Sequence, residues 1–433
     1  MIKNKNAWSF ISATAVSRLG TLIFSLYLSY FIANESQSTS ILGTVSAIAF
    51  LPNCLFNLVG GFSADRYSKK KLLCFYDGLS FIICLVVSFL FLPSELSFWQ
   101  TITVLTLVQL FLNAIASLYS PTSRALIPDM LTKEEIENFN ISYTLVSDLI
   151  KFIAPLLIGL PLLSKLSLSS LFFINALTFL ISFLLLHPIS YSRSDSKSLL
   201  NQNTKQPHLI KDILQQPALF LLMMTLVAMN FFHAAYSVAL PFLATTVYQS
   251  PLFFSLAAAL QSLGAISINL YLSKKKGSLF TTPRLLISCG IFGSALLLIG
   301  SLRQTTPSFS NLPQVGHGSS MIEMGSLFST LLTYACIFIL GGCFACVSVG
   351  VYSLIQKEYA SPHMGKVLGT LSATVMMCIP FSTFLTGLVG ESLSVLTLLQ
   401  LLGTLFLCLT FLMSLSWHHT QRKNKQTLQG TPN

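Results

Sequence analysis

Gly60-Gly61-Phe62-Ser63-Ala64-Asp65-Arg66-Tyr67-Ser68-Lys69-Lys70-Lys71 decides the reading of this chain. The stretch stands between two apolar runs, about 41–64 and 72–92, each near the roughly twenty residues that carry a helix across a bilayer. A short segment holding Asp-Arg and three lysines does not lie in hydrocarbon. It reads as a tight turn at a membrane surface, and its lysines assign that surface to the cytoplasmic side.

Composition supports lipid as the solvent. The chain is 53% hydrophobic and 9% charged, with mean hydropathy +0.72, where a soluble domain has about 25% charged residues. The net charge of +11 does not form a nucleic-acid footprint, because the basic residues sit singly or in short groups between apolar runs. The partner implied is the bilayer, with no nucleic acid. The nine cysteines fall inside or at the ends of apolar runs. Cys343-Phe344-Ala345-Cys346 has no second pair and no nearby histidine, so it reads as packing rather than a metal site. No Walker loop, nucleophile elbow or H-E-x-x-H occurs. The chain is therefore read as a non-enzyme without a cofactor or ATP-driven step. Its first apolar run is too long for a signal-peptide core and lacks an A-x-A site, so it is expected to remain as the first helix.

Working outward, twelve spans are expected, at about 8–32, 41–64, 72–92, 98–120, 141–163, 168–188, 217–247, 251–272, 284–302, 327–352, 366–389 and 393–415. They are helices because hydrocarbon offers no other partner for a backbone amide. Of the 25 Lys and Arg, 21 fall on the side of the amino terminus and the Asp65 turn, and 2 (Lys165, Arg303) on the other. That asymmetry puts both termini in the cytoplasm and requires an even number of crossings. The polar segment 189–216 reads as a linker between six-helix bundles 1–188 and 217–416, with a tail at 417–433. Lys69–Lys71 after the second span is echoed by Lys274–Lys276 after the eighth, as parallel repeats would produce.

The pattern G-x-x-x-D-R-x-x-K-K in the opening stretch resembles the loop between helices 2 and 3 of the major facilitator superfamily. Further along stand Pro121-Thr122-Ser123-Arg124-Ala125-Leu126-Ile127-Pro128-Asp129, Ala154-Pro155-Leu156-Leu157-Ile158-Gly159 and Ile174-Asn175-Ala176-Leu177-Thr178-Phe179. Together with Gln356–Val367 these resemble the macrolide-efflux and enterobactin-exporter branch. The resemblance covers almost the whole chain. It implies an all-α membrane protein of twelve transmembrane helices in two pseudo-symmetric six-helix bundles, working by alternating access. It also implies export of a small amphipathic compound, drug- or siderophore-like, driven by proton entry across the plasma (inner) membrane, by a monomer. Two positions depart from the branch. Ser17-Arg18-Leu19-Gly20-Thr21 has no acid where S-x-x-G-D is usual, and Ala154 stands where glycine is common. Import of a nutrient or metabolite on the same fold stays open, as does a non-transporting scaffold or receptor.

Three groups of residues are candidates for function. Gly61, Asp65, Arg66, Lys69 and Lys70 belong to the turn; the resemblance makes Asp65 and Arg66 part of a cytoplasmic gate, while the lysines also serve as plain membrane anchors. Asp77, about a turn into span 3, either pairs with those basic residues or snorkels. A second group would line the central cavity that this fold places among helices 1, 4, 7 and 8. Arg18 is a cation in mid-span, which by default marks a functional site, and shares a stripe with Thr14, Thr21, Ser25 and Ser29. The alternative for Arg18 is an ion pair with an acid of span 5. Gln109 and Asn113 on span 4, Asn230 and His233 on span 7, and Gln261 on span 8 complete the group. His233 is either a titrating group or a satisfied packing group. The third group is Asp148 and Lys151, three apart on span 5 and able to pair, with Asp148 the candidate proton carrier.

Overall fold

A computed structural model describes residues 5–92, 96–131, 133–159, 166–189, 216–274, 280–302, 320–358 and 364–429. These hold twelve α-helices: α1 (Lys5–Ser36), α2 (Thr39–Arg66), α3 (Lys69–Leu90), α4 (Phe98–Met130), α5 (Lys133–Ile158) and α6 (Leu168–Leu186), then α7 (Pro217–Phe242), α8 (Pro251–Lys274), α9 (Thr282–Ser301), α10 (Ser320–Glu358), α11 (Met364–Glu391) and α12 (Val395–Gln429). Eleven are long and apolar enough to cross a membrane among the described residues. The helix outside that count is α5, which carries the Asp148–Lys151 pair. The expected all-α membrane fold is what the chain adopts.

Several boundaries differ from the expectation. The turn at Gly60–Lys71 shrinks to Tyr67 and Ser68, because α2 runs on to Arg66 and α3 begins at Lys69. Likewise α4 continues through Pro121 and Pro128 to Met130, α10 starts at Ser320 and α12 ends at Gln429. Polar residues extend these helices past the apolar run, where hydropathy no longer marks them. The expected linker lies outside the described residues except at its two ends.

Two compact units emerge. The first comprises Met1–Gln37, Thr44–Asn201 and Pro251–Ala259; the second comprises Ser38–Gly43, Gln202–Ser250 and Leu260–Asn433. In the first, α3 packs most extensively on α6, followed by α1 on α6, α1 on α5 and α3 on α4. In the second, the leading pairs are α9 on α12, α9 on α10, α11 on α7 and α12 on α7. Adding six to each helix number converts one set into the other. The repeat that the lysine runs only suggest is thus present in the packing.

The leading pair of each unit is closed by side chains that donate to a carbonyl of the facing helix. Between α3 and α6, Ser88 Oγ donates to the Ser169 carbonyl and Ser169 Oγ donates back to the Ser88 carbonyl, both at 2.9 Å. Between α9 and α12, Gln400 Nε2 donates to the Gly300 carbonyl at 3.0 Å. Small residues let helix backbones approach where apolar burial offers little net drive. Inside the second unit, Gly264 of α8 faces the Phe338 carbonyl of α10, and Gly341 faces the Gln261 carbonyl. The same unit holds the first turn of α2, where Ser38 Oγ (2.9 Å) and the Ser40 amide (3.0 Å) both donate to Glu391 Oε2 at the end of α11. A carboxylate there satisfies amides that a helix start leaves open.

On the outside the usual soluble pattern is reversed, with Leu55, Phe111 and Phe328 all exposed, as a lipid-facing surface requires.

A Cβ at Gly264 lands on backbone, whereas one at Gly290 has nothing within 4 Å. Overpacking of this kind costs about 1–3 kcal/mol, while Gly→Ala in an open helical position gains roughly 0.5–1 kcal/mol. Gly264→Ala is therefore expected to lower the thermal unfolding midpoint in detergent by several degrees, and Gly290→Ala to leave it unchanged or raised. Equal midpoints for the two variants would contradict the packing.

Candidate functional site

In the first unit the charged residues of α1 and α5 come together. Arg18 is exposed and its Nη1 donates to Ser147 Oγ at 2.8 Å. Its guanidinium also lies over the Tyr143 ring, 5.6 Å from the centroid, a cation–π arrangement. No acid of α5 pairs with Arg18 among the described residues, so the ion-pair expectation is replaced by a hydroxyl and an aromatic face. Asp148, next to Ser147, instead takes its hydrogen bond from Lys151 Nζ at 3.0 Å. The Lys151 side chain is 57% exposed and that of Asp148 18%. The contact of α1 with α5 thus gathers two cations, Arg18 and Lys151, and one carboxylate, Asp148.

The hydroxyl stripe of α1 bonds to its own helix. Thr14 donates to the Phe10 carbonyl, Thr21 to Ser17 (2.8 Å), Ser25 to Leu22 (3.2 Å) and Ser29 to Ser25 (2.9 Å). On α4, Asn113 Nδ2 donates to the Gln109 carbonyl at 2.9 Å; both side chains are half-buried. Back-bonding of this kind satisfies donors where water is scarce. It leaves acceptor oxygens available for a ligand.

In the second unit, His233 of α7 and Gln261 of α8 form a hydrogen bond of 2.8 Å between their Nε2 atoms. The imidazole stacks on Phe344 of α10 with centroids 4.0 Å apart. Asn230, one turn earlier on α7, donates to the Leu226 carbonyl at 2.9 Å. His233 thus has both a ring contact and an amide partner. Two polar atoms of this unit, the Tyr236 hydroxyl and the Asn269 side-chain oxygen, are buried without a hydrogen-bond partner among the described residues. Open buried polar atoms are uncommon and mark where a ligand or water can bind. Neither residue carries a sequence signal beyond its occurrence on an apolar helix.

The residues of the opening stretch separate. Arg66 is exposed at the end of α2. Gly61 and Asp65 sit in the last turns of that helix, and their surroundings lie outside the described residues. Lys69 pairs with Asp129 at 2.6 Å, tying the start of α3 to the end of α4. Lys70 faces a groove on the other side of α3, beside Lys71. Asp77 corrects the expectation. It is 2% exposed and accepts a hydrogen bond from Ser182 Oγ of α6 at 2.6 Å. Asp77 lies six to eight residues beyond Lys69–Lys71, about two helical turns or roughly 10 Å, and its single methylene is too short to snorkel. Partners such as Asp129, Ser147, Tyr143 and Ser182 are distant in sequence and only the fold reveals them.

Comparison with known proteins places this architecture. The staphyloferrin A transporter of Staphylococcus aureus (strain NCTC 8325 / PS 47) is 22% identical over 297 residues, 66% of this chain and 72% of that protein. Among solved structures, the POT family transporter PepTSo superposes with a TM-score of 0.69 at 12% identity, over 98% of this chain and 99% of the other. The xylose transporter XylE of E. coli, in its inward-open conformation, gives 0.63 at 11% identity, over 94% of each chain. At such identities the structures share the fold alone. The family model described as Major Facilitator Superfamily matches residues 10–383. With most of its length matched and twelve helices in place, the chain belongs to the major facilitator superfamily of secondary transporters.

Proposed function

We propose that this transporter exports a small amphipathic compound bearing anionic groups, of the drug or siderophore kind, by alternating access and in exchange for protons. The observation that carries the reading is the arrangement of Arg18, Asp148 and Lys151 on α1 and α5. Two cations against one carboxylate leave a net positive charge in a membrane span. Exposed charge there is tolerated where it meets water or a counter-charge, and an anionic substrate supplies one. The distant likeness to a staphyloferrin A transporter and the resemblance to the macrolide-efflux and enterobactin-exporter branch support the substrate class; export rests on the branch resemblance. The Lys and Arg distribution supports a plasma (inner) membrane location with both termini cytoplasmic. The chain works as a monomer, with six-helix bundles 1–188 and 217–416 as the two halves that alternate access. Asp65 and Arg66 act in its gate.

Asp148 is the proton carrier in this scheme. Protonated, it releases Lys151; deprotonated, it holds the amine at 3.0 Å. Proton entry down a membrane potential supplies about 2.3 kcal/mol per charge per 100 mV, enough to drive roughly a fifty-fold gradient of a neutral exchange partner at that potential.

Accumulation of labelled compounds, including anionic iron chelators, tests the reading in cells with and without the protein. Lower accumulation in cells carrying the protein, abolished by a protonophore, is expected; higher accumulation would overturn export and favour import. Asp148→Asn is expected to abolish the protonophore-sensitive part while preserving substrate exchange down its own gradient. Unchanged proton coupling in that variant would remove Asp148 from the role. A hydrogen bond to a charged group is worth about 1.5–3 kcal/mol. Arg18→Ala should therefore raise KM for an anionic substrate by roughly ten-fold or more, with a smaller change for a neutral compound.

A further inference from the structure

A groove of about 630 Å³ runs along the outer face of the first unit between α3 and α6. At one end stand Lys70, Lys71 and His187; from there the walls become apolar, with Phe75, Ile82 and Phe183. No acidic residue lines it among the described residues. We propose that this groove binds one anionic glycerophospholipid, the headgroup phosphate held by Lys70 and Lys71 and an acyl chain laid along α3. The assignment is separate from the transported substrate and rests only on the cytoplasmic placement of the Asp65 turn.

Charge and depth agree with this occupant. Lys69, the neighbouring basic residue, is already neutralised by Asp129, whereas Lys70 and Lys71 have no ion pair among the described residues. Basic side chains at the cytoplasmic surface attract anionic headgroups. From Lys71 to Ile82 is eleven residues, or about 16 Å along a helix, which matches half of the roughly 30 Å hydrocarbon core. A chain anchored at the lysines therefore spans one leaflet within the groove. Phe75 is 61% and Ile82 55% exposed, so the apolar walls open to the surrounding lipid rather than to a buried path. The floor exists because Gly78 has no side chain: a Cβ there would come within 3.9 Å of the Phe183 ring, and anything longer would fill the space. A soluble ligand would have no use for the long apolar wall, and a zwitterionic lipid would leave the lysines uncompensated.

The test uses the full chain in phosphatidylcholine vesicles, with Phe75→Trp as reporter and Trp8, Trp99 and Trp417 replaced by Phe. Brominated phosphatidylglycerol should quench the reporter at least three-fold more effectively, per mole fraction, than brominated phosphatidylcholine. Lys70→Gln with Lys71→Gln should bring that ratio to one. Gly78→Leu should weaken quenching by both lipids. Native mass spectrometry of the unmodified protein should retain phosphatidylglycerol over phosphatidylcholine at equal supply, independently of whether the variants fold. Equal quenching by the two lipids in the parent reporter, or a preference that survives the double lysine substitution, would overturn the proposal. Displacement of the brominated lipid by free glycerol phosphate would overturn it in favour of a soluble phosphate ligand.

Discussion

A backbone amide in hydrocarbon has no partner except another backbone group, a nearby side chain or a ligand, and every feature of this chain follows from that constraint. It makes the twelve apolar runs helices. It turns serine and threonine hydroxyls back onto carbonyls three or four residues earlier along α1 and α4. Where prolines interrupt α2, α4, α5, α7 and α11, a freed carbonyl must find another donor. After Pro241 the chain widens into a five-residue π-turn, Leu243–Val247. The π-turn among the described residues thus follows a proline directly.

The second organising fact is the repeat. Two units with the same order of helix pairings need not share sequence at the contacts, and they do not. Paired serines join α3 to α6, while glutamine and glycine join α9 to α12. Equivalent crossings are satisfied by different chemistry, which is why the lysine runs are the one clear trace of duplication in the sequence. The polar residues have diverged further. The first unit brings charged side chains of α1 and α5 together; the second joins His233, Gln261 and Phe344.

Hydropathy made the helices legible, since an apolar run of the right length admits one solution. It lost them where they leave the membrane, at Pro121–Met130 and beyond the last apolar run of α12, because water accepts polar helix and polar coil alike. The charged sites were less legible the further apart their members stand in the sequence. Asp148 and Lys151 are three apart and their pairing can be read directly. Lys69 and Asp129 are sixty apart, and nothing local in either announces the other. Arg18 announced itself as a charge out of place but not its partners, a hydroxyl and an aromatic ring. Asp77 misled because distance along a helix counts for less than which way the helix is turned, and here it is turned toward Ser182.

The start of α2 carries an implication for synthesis. Its first amides and hydroxyls are held by Glu391, a residue some 350 positions later in the chain, and Gly43 approaches the backbone at Gly387. A ribosome that has produced only the first six helices has made a molecule whose second helix begins with donors still unanswered. That turn stays unfinished through the manufacture of nine further helices. Completion of the carboxyl-terminal end is therefore a condition for the amino-terminal end to settle, and a truncated product would disclose itself at Ser38–Ser40 as an open edge for quality control.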